Sequence, residues 1–222
     1  YNAILKFLMH LLFFISCDTF AQYNCLFHHY STQDGLSHGK VTAILKDRDG
    51  FMWFGTGNGL SRFDGYRFVN YSKPQLPSNL VNVVACANDG KLWIGTKQGL
   101  CRFDVESEQI ELLAAVSNKG ADVSVIALFC DSHGNIWAGT HEAGLFLVQP
   151  DTNGYKVRQF DDLKGEIPGD IVPEIKQLSN GSLFIGTNHG VAIYDYQTKN
   201  FNNRQQGALA ISYVLSICET RD

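Results

Sequence analysis

The sequence predicts an all-β chain of stacked, four-stranded antiparallel modules, and three observations predict it. One phrase recurs four times: Asp49 to Thr56, Asp89 to Thr96, His133 to Thr140 and Asn180 to Thr187. Its leading glycines, Gly50, Gly90, Gly134 and Gly181, stand 40, 44 and 47 residues apart, the period of modules that bury their faces on one another. Between the copies, short runs of alternating apolar residues are bounded by Gly, Asn and Asp, which reads as strands joined by tight turns. Four strands in a period of about 40–45 residues make one blade of a β-propeller.

The first copy sets out the blade in order. Residues 41–45 form an inner strand. The turn at 47–50 follows, where Gly50 tolerates positive φ and Asp caps the turn backbone. Residues 51–56 form the second strand, 57–59 a turn, 60–64 the third strand and 67–71 the fourth. Repeats are expected at 41–72, 81–113, 123–160 and 171–203, with a partial one at 211–222. The middle-strand aromatic column is Trp53, Trp93, Trp137 and Phe184. One blade alone cannot bury such a ring, but the face of the next can. Burying ~200 Å² of indole contributes at most about 5 kcal/mol, so the column reads as structural. Gly55, Gly95, Gly139 and Gly186 follow it, where a neighbouring backbone approaches closely. The Thr after each is a β-branched strand residue.

Both ends read as pieces of further blades. Residues 27–31 (Phe27 to Ser31) echo Phe68 to Ser72, the outer strand of the first blade. An outer strand ahead of any blade is expected to belong to the last one and to close the ring by pairing with later sequence. Residues 212–217 look like an inner strand, so the chain is expected to stop inside a fifth blade. Residues 1–21 read as a secretory signal: 7–15 are apolar apart from His10, and Thr19-Phe20-Ala21 offers a cleavage site. Cys17 as a lipoprotein cysteine stays open as the alternative. Residues 22–222 then form one partial propeller.

Composition excludes several classes. The net charge is −4, from 18 Lys and Arg against 22 Asp and Glu, with no basic stripe for nucleic acid. Six cysteines lack any CxxC pair, so neither a zinc cluster nor another metal site is expected. Removal of Cys17 leaves an odd number, which argues against a disulfide framework. Cys86, Cys130 and Cys218 are expected as small buried hydrophobes of inner strands, and Cys101 stands where the first copy has Ser61. No nucleophile elbow, zinc-protease, P-loop or dinucleotide fingerprint occurs, so no catalytic residue and no cofactor is expected. The Asp-Gly turns lack calcium-loop spacing and drift to His133 and Asn180, as turn residues do.

A ligand site is expected by position. Turns after each Gly-Thr pair share a face with the loops that lead into each inner strand, around the propeller channel. The turns supply Asn58, Lys97, Gln98, His141, Glu142, Asn188 and His189. The lead-in loops supply Ser37, His38, Asn79, Asp122 and Asp170. Amides, hydroxyls and paired charges suit a polyhydroxylated ligand, which needs many directional hydrogen bonds. His141 and His189 stand on equivalent turns and are expected to be solvated loop residues.

On these motifs, residues 27–222 resemble the two-component regulator propeller repeats of periplasmic sensors from Bacteroidetes. Tyr30 to Ser37 is similar to the opening of those sensors. Asp47 to Thr56 followed by Gly59 to Asp64 matches the repeat, and the copy running through Gly99 to Asp104 matches nearly as well. The third copy inserts one residue before Gly144, and the fourth has Phe184 for Trp and Val191 for Leu. The resemblance implies the N-terminal part of a hybrid sensor histidine kinase: an oligosaccharide ligand, a homodimer, a membrane tether and kinase domains in further sequence, and control of polysaccharide-utilisation genes. The rival readings are a secreted propeller enzyme, such as a polysaccharide lyase or glycosidase, and a protein-interaction propeller.

Overall fold

The computed structural model describes residues 27–117, 123–152, 154–204 and 213–220. The signal region with Cys17, together with Cys25, Asp122 and Ser212, lies outside them. Among the described residues sixteen strands form four separate antiparallel sheets of four. The first holds β1 (Val41–Lys46), β2 (Met52–Thr56), β3 (Gly59–Phe63) and β4 (Phe68–Tyr71). The second holds β5 (Val81–Cys86), β6 (Leu92–Thr96), β7 (Gly99–Asp104) and β8 (Gln109–Leu112). The third holds β9 (Val125–Cys130), β10 (Ile136–Thr140), β11 (Leu145–Asp151) and β12 (Gly154–Phe160). The fourth holds β13 (Glu174–Gln177), β14 (Leu183–Thr187), β15 (Gly190–Asp195) and β16 (Asn200–Arg204). Each sheet is a simple meander in chain order. The inner strands β1, β5, β9 and β13 are successive neighbours, so the four blades stand in an arc about one axis and, among the described residues, do not close a ring.

Cores lie between blades. Trp53 packs with Leu92, Ile94 and Phe103 of the second blade. Trp93 packs with Ile136, Ala138 and Phe146 of the third, and Trp137 with Leu183, Ile185 and Tyr194 of the fourth. All three indoles are buried, whereas Phe184, on the blade with no complete successor here, is only partly so. The glycine after each ring makes this packing fit. At Gly55, Gly95, Gly139 and Gly186, an added Cβ would press on Val81, Val125, Val172 and Val214 of the next blade.

The two ends show how the arc continues. Residues 213–220 form no strand, because a strand needs a ladder partner and none is present for them among the described residues. They nonetheless follow the next-blade position: the Val214 N–H donates to the Thr187 carbonyl at 2.9 Å, as Val172 does to Thr140. Residues 27–40 likewise form no strand. Yet the Tyr30 ring sits 4.8 Å from Phe63, just as Tyr71, ending the first blade's outer strand, sits 5.0 Å from Phe103 of the second. Tyr30 therefore occupies the place where a preceding blade's outer strand would end. The inner strand β1 is less covered than its alternation suggests, with Ile44 63 % exposed, since no other blade among the described residues packs on that side. The cysteines also depart from expectation. Of the described cysteines only Cys101 is buried; Cys86 and Cys130 are half-buried, and Cys218 is exposed and lies in no strand.

Candidate functional site

The threonine of each repeat builds the loop beside it. Thr56, Thr96, Thr140 and Thr187 are fully buried. Each Oγ1 donates to the carbonyl of the glycine that opens the third strand or its turn: Gly59, Gly99, Gly144 and Gly190, at 2.8–3.0 Å. The same oxygen accepts the N–H of Asn58, Gln98, Ala143 or His189 at 2.9–3.1 Å. One buried hydroxyl thus satisfies both sides of a turn that would otherwise leave backbone groups unpaired. The expectation treated this Thr only as a strand former and missed that role. Its signal in the sequence is a Thr three residues before a Gly, or four in the third repeat.

These turns and the lead-in loops meet at one end of the blades. The N–H groups of Gly57, Lys97, His141 and Asn188 donate to the carbonyls of Lys40, Leu80, Ser124 and Ile171, all near 3.0 Å. The Gly59 and Gly144 N–H groups reach forward to the Asn79 and Asp170 carbonyls of the following lead-in loops. The first and third turns are therefore clasped between their own blade's lead-in loop and the next one. The described residues of the expected site do share this rim.

Their side chains fall into two groups. One group is tied into the scaffold. Ser37 Oγ lies 2.9 Å from Thr56 Oγ1, and its N–H donates to Ser61 Oγ. His38 Nδ1 accepts from the Lys40 N–H at 2.9 Å. Asn79 Nδ2 donates to Asn58 Oδ1 at 3.0 Å across the first two blades. Gln98 Oε1 accepts from Lys73 Nζ at 3.2 Å. Asp170 Oδ1 accepts from the Asp162 N–H, and Asn188 Oδ1 from the Ile171 N–H. The other group projects outward: Lys97 and His189 are exposed, and His141 lies 3.5 Å from the exposed Glu142. The expected set thus offers the Lys97 ammonium, carboxylates and imidazoles above a layer of immobilised amides. Among the described residues no group of three or more His, Cys, Asp and Glu is arranged to hold a metal.

The opposite end carries the Asp-Gly turns and is structural. Asp47 Oδ1 accepts the Asp49 and Phe51 N–H groups, and Oδ2 accepts Trp53 Nε1 at 2.6 Å. Asp131 repeats this with His133, Asn135 and Trp137 Nε1 at 2.8 Å, and also accepts the Tyr196 hydroxyl at 3.0 Å. The end of β13 and the segment 213–220 then clamp the preceding blade. Gln177 Oε1 accepts the Ser132 N–H, and the Glu219 carboxylate accepts the Ser179 N–H and hydroxyl. These hydrogen bonds, with the exposed Ser179 groups, hold the Glu219 carboxyl below the usual carboxylate range. The Asp–Trp pairs escaped the sequence reading, although an Asp six residues before Trp in two repeats was their signal.

Comparison with known proteins agrees with this geometry. The family profile described as the two-component regulator propeller matches residues 35–58, 75–98 and 119–142. The first two stretches run from a lead-in loop to the turn after Gly-Thr, so the profile falls on the repeats that the motifs mark out. Over 48 residues it is 42 % identical to histidine kinase P4 of Formosa agariphila, a match covering 22 % of this chain and 4 % of that protein. Its fold is that of the extracellular domain of a hybrid two-component system from B. thetaiotaomicron, at 21 % identity and TM-score 0.60, covering 76 % of this chain and 26 % of that one. A virginiamycin B lyase from Staphylococcus aureus shares the fold at 16 % identity and TM-score 0.58, covering 73 % of this chain and 54 % of that one. The chain thus spans only a part of each relative.

Proposed function

We propose that this chain is the ligand-sensing propeller of a hybrid two-component histidine kinase, exported to the periplasm, and that its rim recognises oligosaccharides released from glycans. The observation that carries this reading is the match of three repeats to the two-component regulator propeller. The extracellular domains among its structural neighbours support the compartment. The rim supports the ligand class. Hydrogen-bonding groups of both kinds stand on loops fixed by buried threonines, and a pre-organised polar surface loses little entropy when a hydroxyl-rich ligand binds. Kinase chemistry, the membrane tether and the dimer belong to sequence outside these 222 residues. Ligand binding shifts that dimer between two arrangements by its differential affinity for them, which regulates polysaccharide-utilisation genes.

The test is calorimetric titration of the intact protein with a panel of glycan oligosaccharides, beside an autophosphorylation assay. Binding without turnover, with a change in phosphorylation, is the expected result. Cleavage of a glycan by the purified protein favours the secreted-enzyme reading, for which the lyase among the fold neighbours gives a precedent of architecture alone. A panel without binding removes the sugar as ligand.

A further inference from the structure

The rim is divided in charge. The loops of the first two blades, at 31–40, 57–58, 72–80 and 97–98, carry Lys40, Lys73 and Lys97 against one carboxylate, Asp34. The loops of the third and fourth, at 141–144, 161–173 and 188–189, carry Glu142, Asp161, Asp162, Glu166 and Asp170 against one lysine, Lys164, which pairs with Asp161 at 2.6 Å. The whole chain has a net charge of −4, so the basic half of the rim runs against the overall balance. A surface of one sign raises the local concentration of ligands of the other.

The three lysines stand on one hydrogen-bonded network across the seam of the first two blades. The Lys40 carbonyl accepts the Gly57 N–H at 3.0 Å. Beside Gly57, Asn58 Oδ1 accepts from Asn79 Nδ2. Asn79 Oδ1 in turn accepts the Lys73 N–H at 2.9 Å, and Lys73 Nζ donates to Gln98 Oε1 at 3.2 Å. Gln98 follows Lys97, whose N–H donates to the carbonyl of Leu80, next to Asn79. All three lysines are exposed. Among the described residues, the ion pairs that use lysine take Lys91 and Lys164 instead. Asp34 gives its carboxylate to the Ser31 N–H and hydroxyl, at 2.7 and 2.9 Å. The network is made of amides and ammonium groups, so it gathers cations without neutralising them.

We propose that this basic arc is the subsite for an anionic group of the bound sugar, so that the ligand is an acidic oligosaccharide. Its acidic residue lies over the first seam, and its neutral residues extend toward the third and fourth blades, where carboxylates repel anions. The inference rests on the oligosaccharide reading above and adds the charge of the ligand. An ammonium is a point charge without the planar fork of a guanidinium, so the arc takes a uronate carboxylate or a sulfate ester alike.

The experiment titrates the intact protein with two matched pairs of disaccharides. Cellobiose and cellobiouronic acid differ by one carboxylate; lactose and lactose sulfate differ by one sulfate. An exposed ion pair contributes little alone, so several ammonium groups together set the expected advantage of an acidic member over its neutral partner at about tenfold in affinity. That advantage is expected to shrink in about 1 M salt, where the screening length is about 3 Å. Which pair shows it tells carboxylate from sulfate. Lys73→Gln combined with Lys97→Gln is expected to remove the advantage. Lys156→Gln, a change of one charge at an exposed position of β12, is expected to keep it. Neutral members that bind as tightly as both acidic ones, or an advantage that survives the double substitution, overturn the inference and leave the oligosaccharide reading standing. Absence of binding by every member also overturns the inference, and the wider glycan panel then decides the oligosaccharide reading.

Discussion

Asp131 accepts five hydrogen bonds, two from turn N–H groups and three from the side chains of Asn135, Trp137 and Tyr196. Asp47 accepts three. Removing an acceptor leaves each buried donor unsatisfied, and hydrogen bonds to charged groups are worth about 1.5–3 kcal/mol. Asp131→Ala should therefore lower stability by roughly 3–4 kcal/mol and Asp47→Ala by about half that, as denaturant midpoints at constant m-value would measure. Equal losses would contradict the assigned roles. The cysteines give a second residue-scale test. Burial pushes the Cys101 thiol up to about 12, whereas Cys218 is exposed. Since the thiolate is the reactive form, alkylation of the native chain at pH 8 should modify Cys218 first and Cys101 only on unfolding. Early labelling of Cys101 would show that the β6–β7 seam opens.

At the scale of the element, strand identity was legible because alternation and turn residues are local signals. The Gly-Thr step was legible as a pattern, but the need for its glycine was not, because the valines it meets come from the next blade. Gly139 illustrates this. An alanine there would drive its Cβ into the Val172 carbonyl oxygen of the next blade, a rigid backbone atom, so Gly139→Ala should destabilise by about 2–4 kcal/mol. Gly134 has φ +80° with open space around its Cβ position, and Gly134→Ala should cost only about 1 kcal/mol of left-handed strain. Thermal unfolding of the two variants separates close approach from turn geometry. The turn after the third strand adds a pH test. Lys91 Nζ sits 2.9 Å from Asp104. That hydrogen bond, with the Ser107 N–H, brings the Asp104 carboxyl from the ordinary 3.8 to about 2. A depressed folded-state pKa means stability present above pH 4 and lost as the pH falls from about 4 to about 2. Asp104→Asn should flatten the stability curve in that window and leave its shape unchanged above it.

At the scale of the whole molecule, the blade count and the sharing of cores between blades followed from the period of the repeats, since a ring such as Trp53 has nowhere else to go. Exposure at the ends did not. Ile44 and Phe184 obey the repeat, yet Ile44 stays exposed and Phe184 only half-buried, because burial in a propeller depends on the neighbour, not on the blade's own sequence. The rim residues were legible by position alone. Which of them are tied down, as Asn58 and Asn79 are to each other, depended on distances that no spacing reveals. The proposed function puts the ligand on the exposed set, Lys97, His141, Glu142 and His189. Hydrogen–deuterium exchange of the intact protein, with and without a binding oligosaccharide, tests this most directly. The account predicts added protection confined to the turns at 57–59, 97–99, 141–144 and 188–190 and to the loops leading into β5 and β13. Protection elsewhere with these turns unchanged would contradict it.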